Sequence, residues 1–395
     1  MKRFLSLIAF CCGAFLANAQ PGQSVKLPGS VPCNLEVELN PNYSKAAVLD
    51  SLMKHYTDSA IPGLSLAVYS EKEAWWASTQ GYANVETKTR MDNCHLQYLQ
   101  SVSKTYMAVS ILQLKERGKI DLDAPMTKYL PQAYSRYIKN AENITVRMLL
   151  NHTSGIPEYN DNPGFVSEVI EHPLRNFTAV DQLKSIANEE PLSAPGTRYK
   201  YINTNYLLLS LIGDAITGDH AAYMKENIFK PLGLNNTYYG KDDRYLKNLY
   251  LPQSYWDVFN NGKPANITRF QQMTVVSSKG DDGIVCTTTD VIKFFKGVME
   301  GKLLNPESMK QMFDFVKDEK GNKRYGMGVI HFDLGGGLVA YGHGGGGVGA
   351  GCGVMYVPSH KLYLYFATNL GVLVESELVK KAGAFRDAMM ATLLQ

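Results

Sequence analysis

Strand-forming runs sit at the two ends of this chain and helix-forming runs lie between them, and that separation limits the fold more than any other feature. Gly63–Ser70 (GLSLAVYS) and Glu73–Asn84 alternate or run apolar, with the aromatic and β-branched content of strands. Tyr325–Phe332, Leu338–Gly342, Gly351–Val357 and Leu362–Thr368 read the same way, and Val374–Leu394 then predicts a closing amphipathic helix. Between these groups, Ser101–Arg117 carries Met107, Ile111 and Leu114 at helical spacing and stops at Gly118. Asn203 predicts an N-cap for a helix running through Ile212, with Gly218 just past its end, and another helical stretch follows Asp290. The pattern predicts an α+β fold: an antiparallel sheet built from both chain ends, flanked by helices, with a mostly helical insertion. The α/β part is expected at about 43–100 and 320–395 and the helical part at about 101–319, with an active site where the two meet.

The amino end reads as a processing signal. Lys2 and Arg3 form a positive n-region, Phe4–Leu16 an apolar h-region, and Ala17-Asn18-Ala19 a small-x-small cleavage site. The apolar run is too short for the roughly 20 residues a bilayer requires. Cysteines at 11 and 12 lack the small residues before them that a lipoprotein signal needs. Residues 1–19 are therefore expected to direct export to the periplasm or medium, 20–42 to form a flexible Pro/Gly-rich lead-in, and 43–395 to form the functional domain.

Composition excludes several classes. With 45% hydrophobic and 19% charged residues the chain is not generally disordered. Its net charge is +3, and no Lys/Arg run offers a nucleic-acid surface. No later run approaches membrane length, so no transmembrane segment is expected after signal cleavage. Cys33, Cys94, Cys286 and Cys352 have no C-x-x-C or Cys/His clustering, so no metal site is expected and no cofactor is called for. Export permits disulfides among these four, and buried free thiols are the equal alternative.

Three short stretches could carry chemistry. In Ser101-Val-Ser-Lys104, positions i and i+3 share a helix face about 5–6 Å apart. Serine needs a nearby base to become a nucleophile, and a lysine in a dry pocket loses pKa units and becomes one. Ser103 fits no role and reads as surface or packing. Tyr201 and Asn203, two apart on an extended segment, offer a phenol and an amide to one pocket. His343-Gly344-Gly345 ends a strand, where glycines let a substrate backbone approach and a spare N–H bind an oxyanion. Each has a plainer reading: core packing for Tyr201, a solvated strand end for His343, a turn for the glycines.

Taken together, these stretches are similar to the serine β-lactamase and penicillin-binding-protein-like hydrolases, in particular the class C-like branch with its D-Ala-D-Ala carboxypeptidases, D-aminopeptidases and esterases. The resemblance runs from about Gly63 to the carboxyl end. It includes SVSKTYMA at Ser101–Ala108, ITVRMLLNHTSGIP at Ile144–Pro157, PGTRYKYINTNYLLL at Pro195–Leu209, GDDGIVCTTTDVIKF at Gly280–Phe294 and GHGGG at Gly342–Gly346. It implies a β-lactamase/transpeptidase-like fold, Ser101 as acylated nucleophile, Lys104 as its proton acceptor and Tyr201 as a proton shuttle. It also implies substrate binding by Asn203, His343 and Gly345, and an oxyanion hole from the backbone N–H groups of Ser101 and Gly346. Asn151–Pro157 is expected to be structural, with Ser154 not a second nucleophile. His343 stands where the related motif has lysine, and Gly344 supplies no hydroxyl, so carboxylate recognition is weakened.

The reading is an acyl-enzyme serine hydrolase acting on a small-molecule or peptide ester or amide. A D-Ala-D-Ala carboxypeptidase, a D-aminopeptidase, a true β-lactamase and a non-catalytic peptidoglycan-binding protein are the alternatives. Gly344–Gly349 satisfies G-x-G-x-x-G, but a strand rather than a helix follows it, which excludes a dinucleotide site. The signal makes a direct prediction: secreted from a bacterial host, the chain should have the intact mass of a protein beginning at Gln20. Full-length chain recovered from the cytoplasm would refute it.

Overall fold

The computed structural model describes residues 34–395; the expected signal, most of the lead-in and Cys33 lie outside the described residues. Strands β1 (Gly63–Ser70), β2 (Ala74–Asn84) and β3 (Thr89–Arg90) come from the amino-terminal part. β4 (Val316–Lys317), β5 (Lys323–Tyr325), β6 (Ile330–Gly335), β7 (Leu338–Gly346), β8 (Gly351–Val357) and β9 (Leu362–Thr368) come from the carboxyl-terminal part. They join in one antiparallel nine-stranded sheet, ordered β3-β2-β1-β9-β8-β7-β6-β5-β4. Its seam is β1 against β9, with Leu66 opposite Phe366 and Val68 opposite Leu364.

Both faces of the seam are covered. Helices α1 (Ala46–Asp58) and α5 (Glu377–Leu394) bring Leu49, Met53, Phe385 and Met389 onto Leu64, Leu66, Val68 and Leu364. The other face takes α2 (Ser103–Glu116), α3 (Asn203–Thr217) and α4 (Thr288–Met299), whose apolar residues pack with Ala67, Val354 and Tyr365. A strand between two cores has no wet face, which explains the nearly unbroken apolar runs of β1 and β9. Helix α2 is buried continuously from Ser103 to Leu114, and a helix without a solvent stripe is one the other elements wrap around. Tyr106 of α2 stacks on Phe294 of α4 with ring centroids 3.4 Å apart.

Several expectations are corrected. Tyr325–Phe332 is not one strand: β5 ends at Tyr325, the Gly326 N–H closes a turn onto the Val329 carbonyl at 2.8 Å, and β6 begins at Ile330. β7 continues past Gly342 to Gly346. The helix expected from Ser101 begins as a 3₁₀ turn over Gln100–Val102 and becomes α-helical at Ser103. Of the two readings of Ser103, packing holds: it is 1% exposed, and its hydroxyl accepts the Ile284 N–H at 3.2 Å. The described part of the lead-in is fastened down, with Leu35 buried and the Asn40 N–H donating to the Trp75 carbonyl at 2.7 Å. Cys94 is disulfide-bonded, whereas Cys286 and Cys352 are buried free thiols.

Leu364 is fully buried at the seam, paired to β1 and β8. Leu364→Ala should cost about 2–5 kcal/mol, because the flanking strands cannot collapse into the space left. Urea unfolding at constant m-value measures it, and a loss below about 1 kcal/mol would show that the seam is not the packing centre.

Candidate active site

The site is assembled where α2, α3, the Gly280–Gly283 loop and β7 converge. Lys104, fully buried in the first turn of α2, donates through Nζ to Ser101 Oγ at 3.0 Å, Asn203 Oδ1 at 2.7 Å and the Asp281 carbonyl at 2.8 Å. Three partners fix the ammonium from three elements, and Ser101 sits one helical turn before it, partly exposed. Tyr201 lies under the same ammonium, its ring centroid 5.1 Å from Nζ. The Tyr201 hydroxyl is buried and makes no hydrogen bond of good geometry. Burial pushes its pKa up, against the pull of the Lys104 charge and of hydrogen-bonding contact with Lys104 and Ser101.

The protonation of Lys104 differs from expectation. Burial pushes its pKa down, but Tyr201 and Asp281, with a smaller share from Asp282, outweigh that and hold it above the ordinary lysine value. The ammonium is therefore the resting form, and Ser101 accepts a hydrogen bond from Lys104 instead of giving one.

Asn203 is not an N-cap. It is the first residue of α3; its side-chain carbonyl is taken by Lys104, and its backbone N–H donates to Glu158 Oε2. That leaves its Nδ2 group for a substrate. His343 is 1% exposed and spends both ring nitrogens internally. Nδ1 lies 2.6 Å from the Gly344 carbonyl and Nε2 lies 2.9 Å from the Tyr325 hydroxyl. A carbonyl only accepts, so the proton is on Nδ1 and Tyr325 donates to Nε2. Burial, aided by the Lys104 charge, lowers the His343 pKa to about 3, so the imidazole is neutral. It is a strut between β7 and β5 and brings no positive charge.

Beyond Gly342, β7 has lost β6 as a partner and pairs only with β8 on its other side. Gly345 and Gly346 thus lie on an open sheet edge beside Ser101. A Cβ on Gly345 would stand 2.5 Å from the Leu99 carbonyl and 2.8 Å from Cys352 Sγ, so only glycine allows the approach of β7 to the Gln100–Val102 turn.

Three acidic residues that sequence reasoning did not single out surround this centre. Glu158 is buried, and it accepts N–H groups of Asn203 and Asn160. Burial, reinforced by the charge of Asp281, raises its pKa to about 7. Asp281 receives the Tyr159 hydroxyl at 2.9 Å, and burial pushes its carboxyl up against the pull of Lys104. Asp282 is partly exposed, and burial together with Asp281 raises it to about 7. Asp281 and Asp282 stand in the GDDG stretch; two adjacent carboxylates between glycines were the available signal. His152, at φ +62°, packs its ring 4.4 Å from Tyr201 and 4.5 Å from Tyr325. Ser154 is buried and donates to Asn205 Oδ1 at 2.6 Å, bracing α3.

The beta-lactamase family profile matches residues 49–385. The chain belongs to the beta-lactamase family. Within it, the chain is 28% identical over 254 residues to PbpX of Bacillus subtilis (strain 168), which bears a penicillin-binding-protein name. That match covers 64% of this chain and 58% of PbpX. It is 26% identical over 202 residues to protein flp of Staphylococcus aureus (strain MRSA252), covering 51% of this chain and 39% of flp. The chain thus spans less than two thirds of either relative. Among solved structures, D-amino acid amidase from Ochrobactrum anthropi SV3 superposes with TM-score 0.75 at 21% identity, covering 88% of this chain and 98% of that one. A D-stereospecific amidohydrolase from Streptomyces sp. gives 0.72 at 24%, covering 85% and 97%. These likenesses fix the family's fold for this chain.

Burial gives the site acids a pH signature. Glu158 and Asp282 ionise near pH 7 in the folded protein, and Asp290, also raised by burial, near 6. In the unfolded chain all three ionise near pH 4. From about pH 4 to 7 the unfolded chain binds fewer protons, so stability falls as pH rises through that window. Glu158→Gln should flatten the decline by on the order of 2–3 kcal/mol between pH 5 and 8 in urea titrations. An unchanged slope would mean that Glu158 ionises normally.

Proposed function

We propose that this beta-lactamase-family protein is an exported serine hydrolase that cleaves esters or amides through an acyl-enzyme on Ser101. The observation that carries the reading is the Lys104–Ser101 contact of 3.0 Å, with Lys104 locked by Asn203 and Asp281. Ser101 Oγ attacks the substrate carbonyl carbon while its proton passes to the Tyr201 oxygen of the Lys104–Tyr201 pair, which reacts as the phenolate that the adjacent Lys104 ammonium stabilises. Backbone N–H groups of Ser101 and Gly346 receive the developing oxyanion. The pair then protonates the leaving alkoxide or amine as the carbonyl–leaving-group bond breaks. Water enters by the reverse proton route, freeing the acid and restoring Ser101.

Site charge favours substrates without a carboxylate. His343 is neutral, and Glu158, Asp281 and Asp282 surround the single ammonium of Lys104. The absence of a charge-assisted partner is worth about 1.5–3 kcal/mol, or roughly one to two powers of ten in discrimination. Short acyl esters and small D-amino-acid amides are therefore preferred over penicillins, as the names of the Ochrobactrum and Streptomyces neighbours support. The penicillin-binding name of PbpX supports a second reading, hydrolysis or binding of β-lactams.

A fluorophosphonate probe should label one residue, mapped to Ser101, and Ser101→Ala should abolish labelling. Tyr201→Phe should lower kcat by about 10²–10⁴-fold, the contribution of a positioned proton-transfer group. On one preparation, kcat/KM for a p-nitrophenyl ester or a D-alanyl amide should exceed that for a cephalosporin. Labelling that survives Ser101→Ala would end the nucleophile assignment, and a dominant cephalosporin value would make antibiotic hydrolysis the better description.

A further inference from the structure

Gln100, the residue before the nucleophile, has no part in the chemistry above, yet its setting is unusual. Its backbone is left-handed at φ +48°, a conformation that favours glycine, and its side chain is 2% exposed. Its Nε2 is buried without a hydrogen-bond partner. Strain and an unpaired donor in one buried residue point to a functional constraint. The side chain lies against β7: a Cβ on Gly347 would fall 2.3 Å from Gln100 Oε1, and one on Gly345 2.9 Å from Gln100 Cβ. These two glycines flank Gly346. The Gly347 N–H closes the hairpin onto the Ala350 carbonyl at 2.9 Å, and its carbonyl accepts the Val372 N–H at 3.1 Å.

We propose that Gln100 is a positioning residue whose side chain, seated against Gly345 and Gly347, sets the distance between Ser101 and the Gly346 N–H. This rests on the acyl-enzyme reading for its catalytic consequence and on packing alone for its structural one. A close-packed spacer transmits any change in its size to the segment it supports. Loss of one well-placed oxyanion donor costs about 10²–10³-fold in kcat, so a partial displacement should cost tens-fold.

A size exchange tests the idea. Gly347→Ala should force the two apart, and Gln100→Ala should leave the segment unsupported; each should lower kcat for a p-nitrophenyl ester at least about tenfold with little change in KM. The double variant, with the added methyl facing the vacated space, should have a higher kcat than either single variant. Gln100→Met, equal in length but without the donor, should stay within about threefold of wild type. Crystal structures of the variants provide a readout independent of turnover: the separation of Ser101 Oγ and Gly346 N should change in both single variants and return in the double. Additive losses in kcat, or an unmoved Gly346 in both single variants, would overturn the proposal. A wild type that turns over neither a p-nitrophenyl ester nor a D-alanyl amide but shows the expected displacements would refute the hydrolase reading while sustaining the spacer.

Discussion

The structure depends on keeping one ammonium in the dry interior. Lys104 is fully buried, and its three partners are a hydroxyl, an amide carbonyl and a backbone carbonyl, none of them formally charged. Desolvating such a cation costs several kcal/mol unless its donors are satisfied and countercharge is near. Here the acceptors come from three separate stretches, and Tyr201 and Asp281, with a smaller share from Asp282, supply the field. Docking α3 and the Gly280–Gly283 loop onto α2 is thus the same event as satisfying Lys104. The geometry around Lys104 and the packing of the helical part are one constraint.

The sheet supplies the second half of the site by being incomplete. β6 stops pairing with β7 at Gly342, while β8 follows β7 to Gly346. A strand fastened on one side only is rigid and still presents a free backbone edge. The buried His343 ties that strand back to Tyr325 of β5. Its neutrality follows from burial and from the charge of Lys104, so the same ammonium that holds Ser101 keeps His343 uncharged.

Much of the site was readable because its motifs are local. Ser101 and Lys104 are three residues apart on a helical turn, and Tyr201 and Asn203 two apart before a helix; spacing alone puts each pair on one face. Glu158, Asp281 and Tyr325 were not readable, because their importance comes from what they meet. Glu158 matters through the Asn203 N–H, 45 residues on in the chain, and Asp281 through a carbonyl turned toward Lys104, 177 residues away. The strand break at Gly326–Val329 was missed for a similar reason. A Cβ on Gly326 would lie 2.1 Å from the Met312 carbonyl, a contact invisible to periodicity.

By itself, the sequence determined the element types, the joining of both chain ends in one antiparallel sheet, and the pairing of Ser101 with Lys104 on one turn. Those depend on side-chain period and near-neighbour spacing, which are properties of short segments. Tertiary structure alone decided the protonation of the site. Lys104 is held charged against expectation, His343 is a neutral strut, and Glu158 and Asp282 titrate near 7. Each of these states is set by burial and by charges brought together from distant parts of the chain, and desolvation exists only once the chain has closed around them.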